Sequence, residues 1–351
     1  MSNPVPSLES STSATPTPAT RWARRVTNRL GEHPELLPLI LLIVVVALFW
    51  SVNPSYLSGL NLSGMFAFIP ELGLIALGMT LLLTAGQFDL SVGAVFGFCP
   101  LIVFILANND AVPLPAAIAV GLLLGAGIGL VNGLLVVKGG ITSFLVTLST
   151  QLIVSGTALY VSSGFSQSTL NTRSSVQTLL VGTIQVGGVT IYAGLIWFIA
   201  LAIVLAYALN RTRFGNWIMA TGGNVDAAKA RGIRTDRVTI SLFVLTALLA
   251  SFAGTISDIR VGAAYPNAGT GYELETIAMA VVGGTSLFGG SGTIGGTVLG
   301  AILLRSIRNG VILVGVPGLA YNIFVGGIIL VAMLLQSGLR RARFTSKGGR
   351  A

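Results

Sequence analysis

Four polar side chains stand where an otherwise apolar chain is interrupted. Asp89 and Ser91 lie in Gly86-Gln87-Phe88-Asp89-Leu90-Ser91-Val92-Gly93, and Thr285 and Ser286 lie in the glycine-rich stretch 283–292. A carboxylate beside hydroxyls can exchange hydrogen bonds with a small polar solute. Such contacts replace water lost on entering an apolar slab, where an unmet hydroxyl costs on the order of a few kcal/mol. The same side chains have plainer uses: Asp89 is placed to N-cap the helix that follows, and the hydroxyls can bond back to backbone carbonyls. Neither use is acid–base or nucleophilic chemistry. The single histidine, His33, stands beside Pro34 and cannot form a metal cluster alone. The single cysteine, Cys99, lies in an apolar stretch, excludes an intrachain disulfide and reads as a packing residue. No lysine follows a glycine anywhere, so the phosphate-cradling loop G-x-x-x-x-G-K-[ST] is absent. No catalytic residue, metal or cofactor is expected, and energy for any transport must come from a partner or an ion gradient.

The elements that position these residues belong to a membrane. Of 351 residues 53% are hydrophobic and only 9% charged, against roughly 25% charged in soluble domains. Forty-five glycines fit the same class, because small residues let transmembrane helices approach closely. The net charge of +9 does not point to nucleic acid. Of the 20 lysines and arginines, four lie in 21–29, one is Lys138, six lie in 211–237 and five in 340–350. Those segments alternate with the apolar runs as cytoplasmic segments do, so the basicity reports orientation in lipid.

Residues 1–30 form a Ser/Thr/Pro-rich tail that becomes basic at its end and is expected to be disordered. Residues 31–338 form the transmembrane domain, and a basic tail occupies 339–351. Apolar runs predict spans near 36–52, 69–85, up to 106, across the glycine repeat Gly121, Gly125, Gly129, Gly133, and near 142–161, 191–209 and 238–257. Residues 276–308 are long enough for two short spans, and a tenth runs near 319–336. The fold class is therefore an all-α polytopic membrane protein with about ten transmembrane helices, some short or interrupted, and both termini cytoplasmic. Asp258, Arg260, Glu273 and Glu275 are expected around a turn on the outer side, with Glu71 near the outer end of the second span. The interruptions around 86–93 and 283–292 mark a central pathway, since paired broken segments in transporters place helix ends near the membrane midplane.

The loop 211–237 differs from everything around it. It carries six basic residues against Asp226 and Asp236. Asn224 is a good N-cap, Val225 to Arg231 holds three alanines, and Gly232 supplies the left-handed position that commonly ends a helix. Two turns of helix do not persist alone in water, so the helix reads either as part of a solvated basic loop or as a docking element for a soluble partner.

Three motifs in order resemble the ribose-type ABC sugar permeases. Gln87-Phe88-Asp89-Leu90-Ser91-Val92-Gly93 is similar to that family's Gly-Ile-Asp-Leu-Ser-Val-Gly signature, with Gln87 and Phe88 departing from it. Ala220-Thr221-Gly222-Gly223-Asn224, with Ala227-Ala228 and Gly232-Ile233, resembles its coupling loop, and 273–290 resembles its C-terminal segment. The resemblance covers roughly 36–336. It implies a permease in a bacterial inner membrane, paired as a homodimer or heterodimer. A cytoplasmic ABC ATPase would dock on Gly223, Asn224, Ala227, Ala228 and Gly232, and a periplasmic sugar-binding protein would deliver cargo. Arg260 is expected either to meet an acidic rim of that binding protein or to pair locally with Asp258 or Glu273. An ion-coupled secondary transporter or channel is the alternative. It would need buried ionisable residues at the midplane, and the only acidic candidates within apolar runs are Glu71 and Asp89, both near span ends.

Overall fold

The computed structural model describes residues 35–108, 112–168 and 175–317, with positions 323, 326, 327 and 330 beyond. Both tails, His33 and most of the expected tenth span lie outside the described residues.

The chain enters as α1 (Leu36–Val52), a 3-10 turn (Pro54–Leu57) and α2 (Gly59–Thr84). After the first interruption come α3 (Val92–Asn108), α4 (Leu114–Val137) and α5 (Ser143–Val161). A short two-residue strand, β1 (Gln167–Ser168), precedes α6 (Ser175–Val181) and the hairpin β2 (Thr183–Val186) and β3 (Val189–Tyr192). The chain then forms α7 (Ala193–Arg211), α8 (Arg213–Gly223), α9 (Val225–Ala230) and α10 (Thr235–Val261). Strand β4 (Ala263–Ala264) pairs antiparallel with β1, Gln167 opposite Ala264, and leads to α11 (Tyr272–Val282) and α12 (Ile294–Leu313).

Six of these helices, α2, α4, α5, α7, α10 and α12, are long and apolar enough to cross a membrane, and α1 and α3 are shorter apolar helices. This is a helical, multi-pass membrane protein. The expected spans recur with two differences. α2 begins ten residues before the apolar run read from sequence, because Ser58 caps it by accepting from the Asn61 N–H at 3.4 Å. Residues 276–308 do not form two similar short spans: α11 has 11 residues, α12 has 20, and the turn 283–293 separates them.

The core is built on α2 and α10. Within the apolar window of α2, 89% of residues are buried inside the chain, against 22% for α5, which lies at the periphery. The glycine row of α4 explains one close packing. A Cβ at Gly129 would lie 2.5 Å from the Phe243 carbonyl oxygen, one at Gly125 2.7 Å from Ser251 Cβ, and one at Gly133 2.9 Å from Ile240 Cα. α4 thus meets α10 backbone to backbone, as small-residue repeats permit. The Gly133–Ile240 contact also places the C-terminus of α4, with Lys138, beside the N-terminus of α10. Lys138 and the 211–237 loop therefore share one end of the bundle, called the basic end below.

Candidate functional site

The basic loop folds as two helices, not one. Asn224 caps α9 as its type dictates, its side chain accepting from the Ala227 N–H at 2.9 Å, and Gly232 adopts φ +81°. The preceding α8 is capped by Thr212, which accepts from the Gly215 N–H at 3.3 Å. Gly223, Asn224 and Ala227 are exposed, as an interface requires. Ala228 departs from that expectation: it is 3% exposed and turned into its own chain, where it helps seat α9 on the bundle.

The two interruptions meet at this loop. The Gly290 N–H donates to the Thr84 carbonyl at 2.9 Å, joining one break to the end of the helix that leads into the other. Gly86 and Gly289 touch through backbone, a Cβ at Gly289 lying 3.0 Å from Gly86 Cα. Their glycines adopt φ of +79° at Gly86 and +81° and +80° at Gly289 and Gly290, which only glycine tolerates freely. This junction abuts the C-terminus of α8, at the basic end, instead of lying at mid-bundle.

Asp89 and Ser91 are fully buried within the chain. Both the backbone N–H and the hydroxyl of Ser91 donate to Asp89 Oδ1, at 2.8 and 2.5 Å. Asn132 of α4 donates to Ser91 Oγ at 2.9 Å and more weakly to Asp89 Oδ2 at 3.5 Å. Thr150 of α5 donates to Asn132 Oδ1 at 2.6 Å, and the Leu90 N–H donates to Thr147 Oγ1 at 3.0 Å. The carboxylate is thus held by neutral donors of the break and of α4, with α5 supporting both from behind through Thr147 and Thr150. Asn132 stands five residues from the end of α4, about 7–8 Å along the axis from the basic end.

Thr285 is also fully buried, whereas Ser286 is partly exposed and accepts from the Phe288 N–H at 3.2 Å. Among the described residues no hydrogen bond joins Asp89 or Ser91 to Thr285 or Ser286. The structure brings the two breaks together through their glycines, while their polar side chains face different neighbours.

The acidic and basic residues expected around an outer turn are instead buried. Arg260 pairs with Glu71 at 2.5 Å, not with Asp258 or Glu273, and its guanidinium lies 4.5 Å from the centroid of the Phe68 ring. Only 14% of its side chain is exposed. Ser257 donates to the same Glu71 oxygen at 2.9 Å, and Arg305 of α12 approaches the other at 3.7 Å. Glu275 faces Arg308 at 3.9 Å, and Glu273 accepts from Gln151 of α5 at 3.1 Å. Pairing offsets the burial of Glu71, Arg260 and Glu275, since an isolated buried charge costs far more than a matched one, whereas Asp258 is 3% exposed and its Oδ2 has no hydrogen-bond partner among the described residues. Asn132, Thr147, Thr150 and Gln151 escaped the sequence reading. The sign was present: Asn132 is a lone amide in an apolar helix, and such polar residues face the protein interior.

Breaks joined at a basic loop, over a buried network of neutral donors, agree with a transport protein and decide nothing about its class. The comparison with known families does. The pattern of the family described as branched-chain amino acid transport system / permease component matches residues 61–334. The chain belongs to that family. Among relatives of this permease family, the chain is 35% identical over 309 residues to the ribose import permease protein of Escherichia coli strain K12, covering 88% of this chain and 94% of that one. It is 36% identical to the ribose import permease protein of Bacillus subtilis strain 168, covering 87% and 94%. It is 34% identical to the xylose/arabinose import permease protein of Sulfolobus acidocaldarius, covering 88% and 86%. No solved structure matches it. Among the described residues no group of three or more His, Cys, Asp or Glu could hold a metal ion.

Proposed function

We propose that this chain is the membrane-spanning permease subunit of an ABC importer for a monosaccharide or similar small polar solute, driven by a separate cytoplasmic ATPase. The observation that carries the reading is the similarity to sugar import permeases over 86–94% of their length, although the family description names branched-chain amino acids. A sugar also suits neutral hydroxyls and amides such as Ser91, Asn132 and Thr150, whereas a zwitterion calls for charged counterparts. Ten helices with both termini in the cytoplasm, in a bacterial inner membrane, fit the basic segments. The basic loop then faces the cytoplasm, and Gly223, Asn224 and Ala227 present the ATPase surface, with Gly232 ending the helix. A periplasmic binding protein docks on the opposite end and hands over cargo, and a second permease subunit completes the pathway.

Asp89, Ser91, Thr285 and Ser286 are the polar groups nearest the route in this reading. Three of the four are fully buried, so the route is closed at this level and opens by moving the breaks. Reconstitution of the chain with its ATPase and binding protein in liposomes tests the proposal. Labelled ribose, xylose and arabinose should enter only with ATP. Uptake of leucine without any pentose would reassign the cargo, and uptake driven by an ion gradient without ATP would overturn the importer reading.

A further inference from the structure

Gly222 lies in the last turn of α8, and three chain segments touch there through backbone. A Cβ built at Gly222 would overlap the Thr84 carbonyl oxygen, and would lie 2.7 Å from the Gly290 nitrogen and 2.9 Å from the Ala85 carbonyl carbon. From the other side, a Cβ at Gly289 would lie 2.6 Å from the Gly222 carbonyl oxygen. The Gly290 N–H to Thr84 bond ties the two interruptions together directly across this contact. The C-terminus of α8 is therefore wedged against both breaks with no side chain between.

We infer that Gly222 is the positioning residue through which the loop helices move both interruptions at once. A contact made by side chains absorbs small displacements by changing rotamers. A backbone-on-backbone contact has no rotamers to change, so a shift of α8 must be taken up by the segments it touches. Those segments can yield, because Gly86, Gly289 and Gly290 sit in left-handed conformations and lack the Cβ that restricts other residues. They also lead directly to Asp89 and Ser91 on one side and to Thr285 and Ser286 on the other. Docking force on α9 passes to α8 at Asn224, where the two helices adjoin, and from α8 to both breaks at Gly222. The inference rests on the importer reading, and the experiment separates the two.

In the full complex in liposomes, Gly222→Ala should lower ATP-driven uptake at least fivefold. Gly127→Ala, where a Cβ meets nothing within 4 Å, should keep uptake. The Gly222→Ala complex should still hydrolyse ATP, but without the rise that loaded binding protein produces in the wild type. A loss smaller than fivefold, or a preserved rise, overturns the inference. A second measurement keeps Gly222 and covers the case in which that variant does not assemble. Spin labels at the exposed positions Asn216 and Phe288, with Cys99→Ala, report whether α8 and the second break travel together. Their separation should stay within about 3 Å between nucleotide-free and ATP-trapped states, a larger change showing independent motion and overturning the inference. A wild-type complex that ignores ATP sinks the importer reading, whereas a coupled wild type with an indifferent Gly222→Ala sinks only this inference.

Discussion

Arg260 and Glu71, 189 positions apart in the chain, meet at 2.5 Å between α10 and α2. Glu71 also faces Arg305 at 3.7 Å, so one carboxylate stands between two guanidiniums from two other helices. Three helices that neighbour one another by apolar packing are thereby fixed in rotation, because each must present one particular side chain to a shared point.

The asymmetry of that cluster makes the first prediction. Glu71→Gln removes the carboxylate that both Arg260 and Arg305 face, whereas Arg260→Met leaves Glu71 with Arg305. Removing one partner of a buried pair costs about 3–5 kcal/mol, and the glutamate variant should lie at or above that range. Thermal melting of the purified chain in detergent should fall further for Glu71→Gln than for Arg260→Met. An equal or larger fall for Arg260→Met would contradict the shared-carboxylate account. The same arginine variant decides between a local pair and a contact with the binding protein. Lower melting with unchanged salt dependence of docking assigns Arg260 to Glu71, and the reverse assigns it to the partner.

The Asp89 network yields the second. Asn132→Leu cuts the link from Thr150 to Ser91 and removes the donor to Asp89 Oδ2, leaving buried acceptors short of partners at about 1–3 kcal/mol. Uptake in liposomes should fall at least fivefold while the chain remains monodisperse in detergent. Wild-type uptake by this variant would show the network to be incidental to transport.

Thiol labelling gives the third. In a Cys99→Ala background, Ser286→Cys should react with a small water-soluble maleimide at rest, since Ser286 is partly exposed. Ser91→Cys, at a fully buried position, should react only when ATP and loaded binding protein are both present. Rapid labelling of the Ser91 variant at rest would mean that the closed level lies elsewhere. Persistent inertness of both sites during active transport would remove them from the route.

Neighbouring alanines in α9 provide the fourth. Ala227 is exposed and Ala228 is 3% exposed, so a glutamate acts differently at each. Ala227→Glu should leave melting unchanged and weaken capture of the ATPase in a pull-down. Ala228→Glu buries a charge and should lower the yield of folded chain before docking is tested. The opposite order would turn α9 over.

What was legible before the structure follows from what each signal encodes. Apolar length placed the spans, since a span is a local property of composition, and Asn224 with Gly232 marked a helix because caps are local chemistry. α8 went unread because its amphipathic sequence, Arg213 to Gly223, is short and sits beside the more conspicuous cap. The hairpin at Val186-Gly187-Gly188-Val189 carried a standard turn signal, two glycines between apolar residues, which a search for spans passes over. The pairing of Arg260 was not legible. Sequence neighbourhood favoured Asp258 or Glu273, and only the packing of α2 on α10 brings Glu71 nearer. The meeting of the two breaks at α8 was illegible for the same reason, being a contact among three segments far apart in sequence.

The close seating of α4 on α10 bears on how such a chain can change shape at all. Where Gly125, Gly129 and Gly133 face Ser251, Phe243 and Ile240, a slip of one residue along the axis would drive a Cβ into a backbone. The two helices therefore form one stiff beam that can tilt or swivel but cannot telescope. Any cycle between open and closed forms has to carry that beam intact. The bending is left to the glycine turns at 86 and 283–292, which act as its bearings.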